Sequence, residues 1–380
     1  MIRRTFFQAG PALAAALWPV SAAANAEYKP PRRGKLLRIG VLTCHPRYHH
    51  MTNIYGPLIN CTVMPNGYIP TRMTGMELTH VWDRDRSMVD RFCASFKTEP
   101  VERYDGMIGR VDGIMLTDMR NSNYFPQLAE PYLKAGIPVF FNRPFVSSMR
   151  RAKAIVDMSK RYGTPIITPS AWEFCKEVYT IQEKIREWGP EIRGVTAFNG
   201  SSEIAHDVHG VWMILAAVGG GVESVSVARR GESLFGDPSK LPEYKDGADS
   251  WTIRFKSRGE SPGFFANLLN SLDHDSNAWI KVILEKGTFE QNLMSLLGGN
   301  MGPRFQFYFI PPLLEFQCLI EGRGMTQSHD LILEKTAAFL AGFKSMNKLD
   351  GRPAQLADLE DDFTVQSDPD PITYPDGMFR

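Results

Sequence analysis

Several features that are common in chains of this length are missing. The five cysteines are scattered and form no C-x-x-C pair, which argues against a zinc ribbon or a disulfide-built scaffold. Lys plus Arg number 43 and Asp plus Glu number 42, so the chain lacks the basic excess expected of a nucleic-acid-binding protein. Beyond the N-terminal segment, no apolar run approaches the roughly 18 residues of a membrane span. We therefore expect a small-molecule partner, no nucleic acid, and no stable membrane span in the mature form.

A glycine-rich nucleotide loop is also missing. The run KLLRIGVLT predicts a first strand, but only Gly40 and Gly56 lie near the loop that follows it. A dinucleotide fingerprint needs glycines there so that the backbone can approach the pyrophosphate. The bulky run 46–48 occupies that position instead. The next helix is predicted to begin near Thr52 or Asn53, whose side chains can cap it.

The clearest structural signal that is present lies between Val111 and Phe145. VDGIMLT and IPVFF read as strands, and PQLAEPYLKAG between them has helical spacing and stops at Gly136. Two strands joined by a helix are parallel, and open parallel sheets bind ligands at the carboxyl ends of their strands. Those ends carry Thr117-Asp118 and Asn142-Arg143-Pro144.

The remaining runs predict the fold class. MELTHVWDRDR predicts a second strand ending at Asp83, and SMVDRFCASF predicts a helix capped by Ser87. AWEFCKEVYTIQEKIREWG predicts a long amphipathic helix, and beyond Pro190 the runs alternate as in antiparallel strands. The fold class is α/β, with a Rossmann-like parallel sheet followed by an α+β part with a mostly antiparallel open sheet. The predicted domains are a nucleotide-binding domain over 35–168, a substrate and oligomerisation domain over 169–350, and an extended strap or partly disordered tail over 351–380.

The strand–helix–strand unit resembles the Gfo/Idh/MocA (glucose–fructose oxidoreductase-like) family. That family's pattern is a V-D-x-V/I strand, a loop starting Thr-Pro, a helix ending Ala-Gly, a further strand, and Glu-Lys-Pro. The resemblance covers residues 36–350 and is typical of a divergent, exported member. The matching residues are Val111-Asp112, Thr117-Asp118, Ala135-Gly136, Val139 and Asn142-Arg143-Pro144.

The resemblance implies NAD or NADP as cofactor. Asp83, at the end of the second strand, is expected to accept hydrogen bonds from ribose hydroxyls; the alternative is a solvated strand-end charge. The loop that touches the nicotinamide ribose in the family supplies further cofactor-binding candidates, unless it only caps the following helix. These candidates are Thr117, Asp118, Asn121 and Asn142.

The resemblance also implies a substrate side built on HDVHGVWMILAAVGG. His209 falls on the family's sugar-facing histidine, and a near-neutral imidazole can move the proton of a sugar hydroxyl. The alternative is that His209 only makes hydrogen bonds at the start of the helix or faces solvent. Asp207 is a second catalytic candidate, and Trp212 takes the place of the family's acidic partner. The substrate-binding candidates are His206, Trp212 and Tyr124.

Arg143 stands where the family has the lysine of Glu-Lys-Pro. Arginine cannot give up its proton at physiological pH, but it can clamp an oxygen-rich or acidic group through two donors. We therefore count Arg143 among the catalytic candidates, as a clamp on the ligand. Its alternative is a salt bridge to a neighbouring acid.

Histidines suggest a divalent metal as an alternative cofactor. His45, His49 and His50 precede the predicted helix, and His206 and His209 lie far away in sequence. Together with nearby carboxylates they could hold Zn²⁺ or Mn²⁺. Their spacing matches no compact metal motif, so surface loop histidines are the alternative.

The N-terminus is typical of a targeting segment. Arg3-Arg4 precede an apolar run, and Ala24-Asn25-Ala26 forms an A-x-A cleavage site. Adjacent arginines suggest the twin-arginine route, with an ordinary Sec signal as the alternative. The mature protein is then expected outside the bacterial cytoplasm, as in the periplasm. Export permits a disulfide between Cys44 and Cys61, although buried free thiols are favoured.

Three functions remain open from the sequence. The first is an exported NAD(P)-dependent oxidoreductase that acts on CH–OH groups of a sugar or cyclitol. The second is a cofactor-poor carbohydrate hydrolase or lyase, with or without the help of a metal. The third is a non-catalytic sugar-binding protein, because folds outlive functions. The resemblance further implies a homo-oligomer.

Overall fold

The computed structural model describes residues 34–44, 50–60, 75–199, 204–230, 248–259, 261–270, 278–293, 308–365, 373–375 and 377–379. Its first part is a six-stranded sheet in the order β3-β2-β1-β4-β5-β6, and every neighbouring pair in it is parallel. This confirms the predicted Rossmann-like sheet. The strands are β1 (Leu37–Leu42), β2 (Met76–Trp82), β3 (Glu99–Pro100), β4 (Gly113–Leu116), β5 (Val139–Phe141) and β6 (Ile166–Ile167).

The apolar runs of the central strands explain why they lie inside the sheet. Every residue of β4 and β5 is buried, as expected for parallel strands covered by helices on both faces. The register aligns the strand ends: Leu42 pairs with Trp82 on one side and with Leu116 on the other, and Leu116 pairs with Phe141. The carboxyl ends of β2, β1, β4 and β5 therefore form one level edge.

The helices of the first part differ in detail from the sequence predictions. The chain after β1 forms a π-helical turn (His50–Tyr55) that leads into α1 (Gly56–Asn60), so it begins before Thr52. Helix α2 (Arg86–Phe96) is capped by the Asp85 side chain, which accepts from the Ser87 amide. Ser87 was the wrong residue for this cap. The remaining helices here are α3 (Phe125–Lys134) and α4 (Met149–Tyr162).

The predicted long helix after β6 is interrupted. A 3₁₀ turn (Ala171–Phe174) comes first, and α5 (Lys176–Trp188) follows it. The break arises because Ser170 and Glu173 form a capping box, in which each side chain satisfies a backbone N–H of the other end of the turn. This local hydrogen bonding starts a separate short turn instead of the first turn of the helix.

The second part is a seven-stranded sheet in the order β12-β11-β7-β10-β9-β8-β13. All its neighbouring pairs are antiparallel except β7 with β10, which confirms the mostly antiparallel sheet. The strands are β7 (Ile192–Asn199), β8 (Val222–Arg230), β9 (Ala248–Phe255), β10 (Phe265–Asn270), β11 (Trp279–Leu284), β12 (Gly287–Asn292) and β13 (Ala354–Gln355).

Helices cover one face of this sheet. They are α6 (Ile204–Val218) and α8 (His329–Lys348). Helix α7 (Ile310–Ile320), which the sequence analysis did not anticipate, packs on the first sheet, where Phe316 contacts Phe140. Helix α8 approaches β9 closely at Gly342, where a Cβ would lie 1.8 Å from the Trp251 ring. The other face leaves Phe265, Leu269 and Ile283 exposed.

The C-terminal tail returns to the first part of the molecule. Thr364 forms a β-bridge with Ser148, and the Val365 amide donates to the Ser147 carbonyl at 2.9 Å. Residues 373–379, where described, pack on the carboxyl edge of the first sheet. No helix among the described residues is long and apolar enough to cross a membrane, and the N-terminal targeting segment lies outside those residues.

Candidate functional site

Four residues at the edge of the first sheet form a continuous hydrogen-bond chain, which we call the edge network: Thr117, Asn142, His50 and Arg143. Asn142 follows β5 and its Nδ2 donates to the Thr117 carbonyl at 3.0 Å. Its Oδ1 lies 3.2 Å from Nδ1 of His50. Nε2 of His50 lies 3.0 Å from Nη2 of Arg143. All four residues are buried.

The edge network determines the protonation of His50. A guanidinium nitrogen can only donate, so Nε2 of His50 must accept from Arg143. The proton of the neutral ring is then on Nδ1, which donates to Oδ1 of Asn142. Asn142 is oriented by its own bond to Thr117, which fits the same direction. The network therefore holds a neutral His50 beside a buried positive charge.

This arrangement shows one partner of Arg143 and the hydrogen bonds of one of the histidines. Arg143 is held by a neutral imidazole, in addition to any acidic neighbour. His50 uses both ring nitrogens in hydrogen bonds, so it could bind a metal only by giving one up. Within the described residues, no group of three potential metal ligands occurs. His45 and His49 lie outside those residues, and so does the side chain of His206.

Asp83 braces the loop after β1. Its Oδ2 accepts from the Cys44 amide at 2.8 Å and its Oδ1 accepts from the Asp85 amide at 3.0 Å. The carboxylate is buried rather than solvated. A carboxylate oxygen can accept more than one hydrogen bond, so a ribose hydroxyl could donate to Asp83 alongside these bonds. Cys44 is a buried free thiol, as the sequence analysis favoured over a disulfide.

The loop after β4 carries the other cofactor candidates. It forms a 3₁₀ turn (Met119–Tyr124), in which the Asn121 amide donates to the Asp118 carbonyl at 3.1 Å. Asp118 and Asn121 are both buried. The tail covers this loop, because the Tyr374 hydroxyl donates to Oδ1 of Asn121 and its ring lies 4.7 Å from that of Tyr124. Tyr124 thus contacts the tail of its own chain.

A second set of residues, which we call the interior network, surrounds His209: Ser170, Glu173, Lys335 and His209 itself. Nδ1 of His209 lies 2.5 Å from Oγ of Ser170. The His209 ring also packs on Trp172, with ring centroids 4.9 Å apart. His209 lies in the second turn of α6 and is 4% exposed, so it is not a surface histidine.

A buried ion pair between Glu173 and Lys335 holds Ser170 in place through the backbone. Glu173 Oε2 accepts from the Ser170 amide at 2.6 Å. Lys335, on α8, places Nζ 2.9 Å from Oε1 and 3.1 Å from Oε2 of Glu173, and 2.6 Å from the Thr168 carbonyl. Burial lowers the pKa of Lys335 to about 8, against the opposing pull of Glu173. Burial likewise raises the pKa of Glu173.

The other candidates on α6 lie deeper. Trp212 is fully buried; its Nε1 donates to the Lys335 carbonyl at 3.1 Å, and the Lys335 ammonium lies 3.9 Å from its ring centroid. Any role of Trp212 in a substrate site would therefore act through packing. Asp207 is fully buried in the first turn of the helix. His206 belongs to the same turn.

Phe309 and the helix that follows it connect the two networks. The Phe309 ring lies 5.4 Å from that of His50, with an edge-on orientation. Helix α7 begins next to Phe309 and packs on the 3₁₀ turn that carries Trp172. Phe309 and α7 thus contact one residue of the edge network and the turn that carries Glu173 of the interior network.

Sequence reasoning missed three residues of the interior network and the role of the tail. Ser170 and Glu173 fit the S-x-x-E capping-box signature, which could have marked them in advance. Lys335 gave no signal, because a single lysine in EKTAAFLAGF reads as a solvent-facing residue. Tyr374 sits in a Pro/Asp-rich tail, whose composition says nothing about where it docks.

The carboxyl edge retains features that fit a dinucleotide. Thr43 follows β1 with φ of 70°, the left-handed region that a fingerprint glycine would favour and a β-branched residue seldom adopts. Oγ1 of Thr43 and Nδ2 of Asn121 are buried without a hydrogen-bond partner among the described residues. Buried polar atoms without partners are rare, and a ligand at this edge could satisfy both. What stands over the edge in this conformation is Tyr374.

Comparison with known families also indicates a dinucleotide-binding fold in the first part of the chain. Residues 64–168 match the family model described as "Oxidoreductase family, NAD-binding Rossmann fold", the Gfo/Idh/MocA group. The resemblance drawn from Val111–Phe145 is confirmed for that part of the chain. No curated protein matches the sequence.

Solved structures share the whole two-part fold. A probable dehydrogenase from Thermotoga maritima superposes with a TM-score of 0.66 at 15% identity, covering 85% of this chain and 100% of that one. Scyllo-inositol dehydrogenase from Lactobacillus casei with bound NAD(H) and scyllo-inositol gives 0.65 at 15% identity, with 85% and 100% covered. The WlbA dehydrogenase from Bordetella pertussis with NADH and UDP-GlcNAcA gives 0.61 at 16%, with 86% and 99% covered. At such identities the likeness shows the fold alone.

Proposed function

We propose that this protein is a divergent Gfo/Idh/MocA oxidoreductase that transfers hydride between NAD(P) and a CH–OH group of a sugar or cyclitol. The observation that carries the proposal is the level carboxyl edge of the first sheet, where three of the four residues of the edge network fall within the family match and His50 joins them from outside it. The proteins of similar fold that bind NAD(H) with scyllo-inositol or NADH with UDP-GlcNAcA support the substrate class.

The cofactor would be held by groups along this edge. The Asp83 carboxylate would accept from the adenosine ribose, and Thr43 and Asn121 would satisfy their buried polar atoms on the ligand. Thr117 and Asn142 would lie beside the nicotinamide end, because they end the adjacent strands β4 and β5. The bound nicotinamide supplies the hydride acceptor or donor chemistry, and the protein supplies orientation and electrostatics.

Arg143 would orient the substrate rather than move its proton. Its guanidinium stays charged at any working pH. The hydrogen bond from Nη2 of Arg143 to His50 fixes the position of the guanidinium, so its positive charge points in one direction. A fixed positive charge stabilises developing negative charge on a substrate oxygen.

Proton transfer is then assigned to His209. Nδ1 is tied to Ser170, so the ring has one fixed orientation, and Nε2 is the nitrogen that we assign to the substrate hydroxyl. The packing on Trp172 holds the plane of the ring. Asp207 lies in the first turn of the same helix and is fully buried, but two positions along a helix it does not share the face of His209.

A second candidate function is sugar binding without redox chemistry. The observation that favours it is the tail, which covers the edge where a dinucleotide would bind. In that case the interior network would still form a sugar site. A cofactor-poor hydrolase or lyase belongs to the same alternative, because neither needs an open dinucleotide edge.

The deciding experiment measures cofactor and turnover separately. The purified protein is examined for nicotinamide absorbance and released dinucleotide, NADH binding is followed by fluorescence, and a panel of sugars and cyclitols is assayed for NAD(P)H formation. We expect His209→Asn to lower kcat by about 10²- to 10⁴-fold and to leave the Kd for NADH unchanged.

Two controls complete this test. Trp279→Phe, on the far strand β11, should change neither quantity. Arg143→Lys restores the family's residue and should raise dehydrogenase activity if the cofactor binds; if it abolishes ligand binding, the clamp is the more important role. Saturable sugar binding with no dinucleotide bound under any condition would reject the oxidoreductase in favour of the second candidate.

Export and assembly belong to the same proposal. Arg3-Arg4 and the A-x-A site support export by the twin-arginine route to the periplasm. The exposed side chains of Phe265, Leu269 and Ile283 on the open sheet support a homo-oligomer that pairs these faces.

A further inference from the structure

The C-terminal tail reaches across the carboxyl edge of the first sheet. The Tyr374 ring stacks on Trp82, with centroids 6.2 Å apart and planes 21° apart. Its hydroxyl donates to Oδ1 of Asn121. Trp82 is the last residue of β2, and Asn121 belongs to the loop after β4. One side chain of the tail therefore touches the ends of two strands that are not neighbours.

The strand order fixes what lies between these contacts. β1 is hydrogen-bonded to β2 on one side and to β4 on the other, and Leu42 is level with both Trp82 and Leu116. A side chain that spans from Trp82 to the loop after β4 must cross the carboxyl end of β1. That end is the crevice beside the point where strand order reverses, which is where ligands bind in open α/β sheets.

The surroundings of Tyr374 suit a flat aromatic group with a polar rim. Trp82 stacks on one side, and the Tyr124 ring stands edge-on at 4.7 Å and 79°. The Arg84 guanidinium lies 6.0 Å from the ring centroid, within reach of a cation–π contact. A purine base presents the same combination of a π face and hydrogen-bonding edge.

A second aromatic residue and a tether hold the tail in place. Phe379 contacts Tyr104, Tyr124 and Tyr374 through rings 5.2 to 5.8 Å apart. Arg84 also donates to the Thr373 carbonyl. The tail is anchored upstream where Val365 donates to Ser147, so the segment is always close to its site and its effective concentration is high.

We propose that residues 373–375 and 377–379 of the C-terminal tail form an intramolecular plug that occupies the adenosine end of the dinucleotide site, with the Tyr374 ring in the place of the adenine. This rests on the proposed function, and it adds a regulated entry step: dinucleotide binds only after the tail has moved away. When the site is open in only a fraction of the molecules, the apparent Kd equals the intrinsic Kd divided by that fraction. The plug thus lowers the apparent affinity for any adenine nucleotide.

The test compares full-length variants with AMP and NADH as probes, measured by isothermal titration calorimetry. Tyr374→Ala combined with Phe379→Ala removes the plug, and we expect the Kd for both probes to fall by about tenfold or more. Tyr374→Phe keeps the ring and removes the bond to Asn121, so it should give a smaller decrease. Phe265→Ala, an exposed aromatic on the other sheet, is the matched control and should leave both Kd values unchanged.

A synthetic peptide of residues 371–380 provides a second measurement. It should bind the double variant and be displaced by AMP, because both would occupy the same edge. Equal nucleotide affinity in the unmodified protein and in the double variant would overturn the plug and leave the oxidoreductase proposal intact. Absence of nucleotide binding in every form, even with the plug removed, would overturn the cofactor assignment and the plug together.

Discussion

The edge network and the interior network both orient a buried histidine, but they do so by different means. In the edge network, His50 is neutral and lies between a guanidinium and an amide, and all its partners come from loops at strand ends. In the interior network, His209 is oriented by Ser170, which is itself held by a fully buried ion pair between a 3₁₀ turn and helix α8.

The two networks therefore differ in what controls access to them. The edge network borders a sheet edge on which the tail lies, so access there depends on the position of a terminal segment. The interior network is enclosed by α6 and α8, and its charges have no solvent to screen them. If the proposed plug and cofactor site are correct, cofactor access is adjustable in this molecule, whereas the orientation of His209 is constant.

The largest expected effect comes from breaking the ion pair of the interior network. Lys335→Met leaves the Glu173 carboxylate buried without its cation, which typically costs about 3–5 kcal/mol in the free energy of unfolding. Denaturant unfolding at pH 7 measures it. The double variant Lys335→Met with Glu173→Gln should recover part of the loss, since no uncompensated charge then remains. A single-variant loss below about 1 kcal/mol would mean that the pair is not the anchor of this network.

A smaller loss is expected from the edge network. His50→Ala leaves Arg143 and Asn142 each without one buried partner, and a hydrogen bond to a charged group is worth about 1.5–3 kcal/mol. A double-mutant cycle with Asn142→Ala should show a coupling free energy of about 0.5–3 kcal/mol. Additive losses in that cycle would argue against the direct bond between His50 and Asn142 and hence against the assigned tautomer.

The smallest expected effect is a gain at the loop after β1. Thr43 adopts φ of 70°, and such strain costs about 1–3 kcal/mol. A glycine relieves the strain, but it loses more chain entropy on folding, which offsets part of the gain. Thr43→Gly should therefore raise the free energy of unfolding by about 1 kcal/mol. The control is Thr180→Gly in α5, which should lower it by about 1 kcal/mol. If both variants lose stability, the loop is not strained in solution.

Much of the fold followed from local patterns. The buried runs of β4 and β5 and the stop at Gly136 predicted a strand–helix–strand unit, and its parallel pairing is what the sheet shows. Asn142 and Arg143 were placed at the ends of strands because apolar runs end there. The predicted start of the helix after β1 was wrong, since a π-helical turn from His50 precedes α1 there. The continuous helix after Ser170 was wrong because a capping box starts a separate short turn.

The candidate site was predicted less completely, for a physical reason. His209, Arg143 and Asn142 stood out because each occupies a position in a local motif. Their partners did not: Lys335 reaches Glu173 across 162 positions of sequence, and Tyr374 reaches Asn121 across 253. Contacts at such separations depend on how helices and sheets pack, and no local pattern records them.

By itself, the sequence determined the two-part architecture and the chemistry offered at the strand ends, because hydrophobic periodicity and chain reversal act over short stretches. Only the tertiary structure decided that His50 is neutral beside Arg143, that a buried lysine pairs with the glutamate behind Ser170, and that the chain's own tyrosine lies on the carboxyl edge of the first sheet. Those outcomes depend on burial and on partners brought together by packing, which fix charge and access only once the chain is folded.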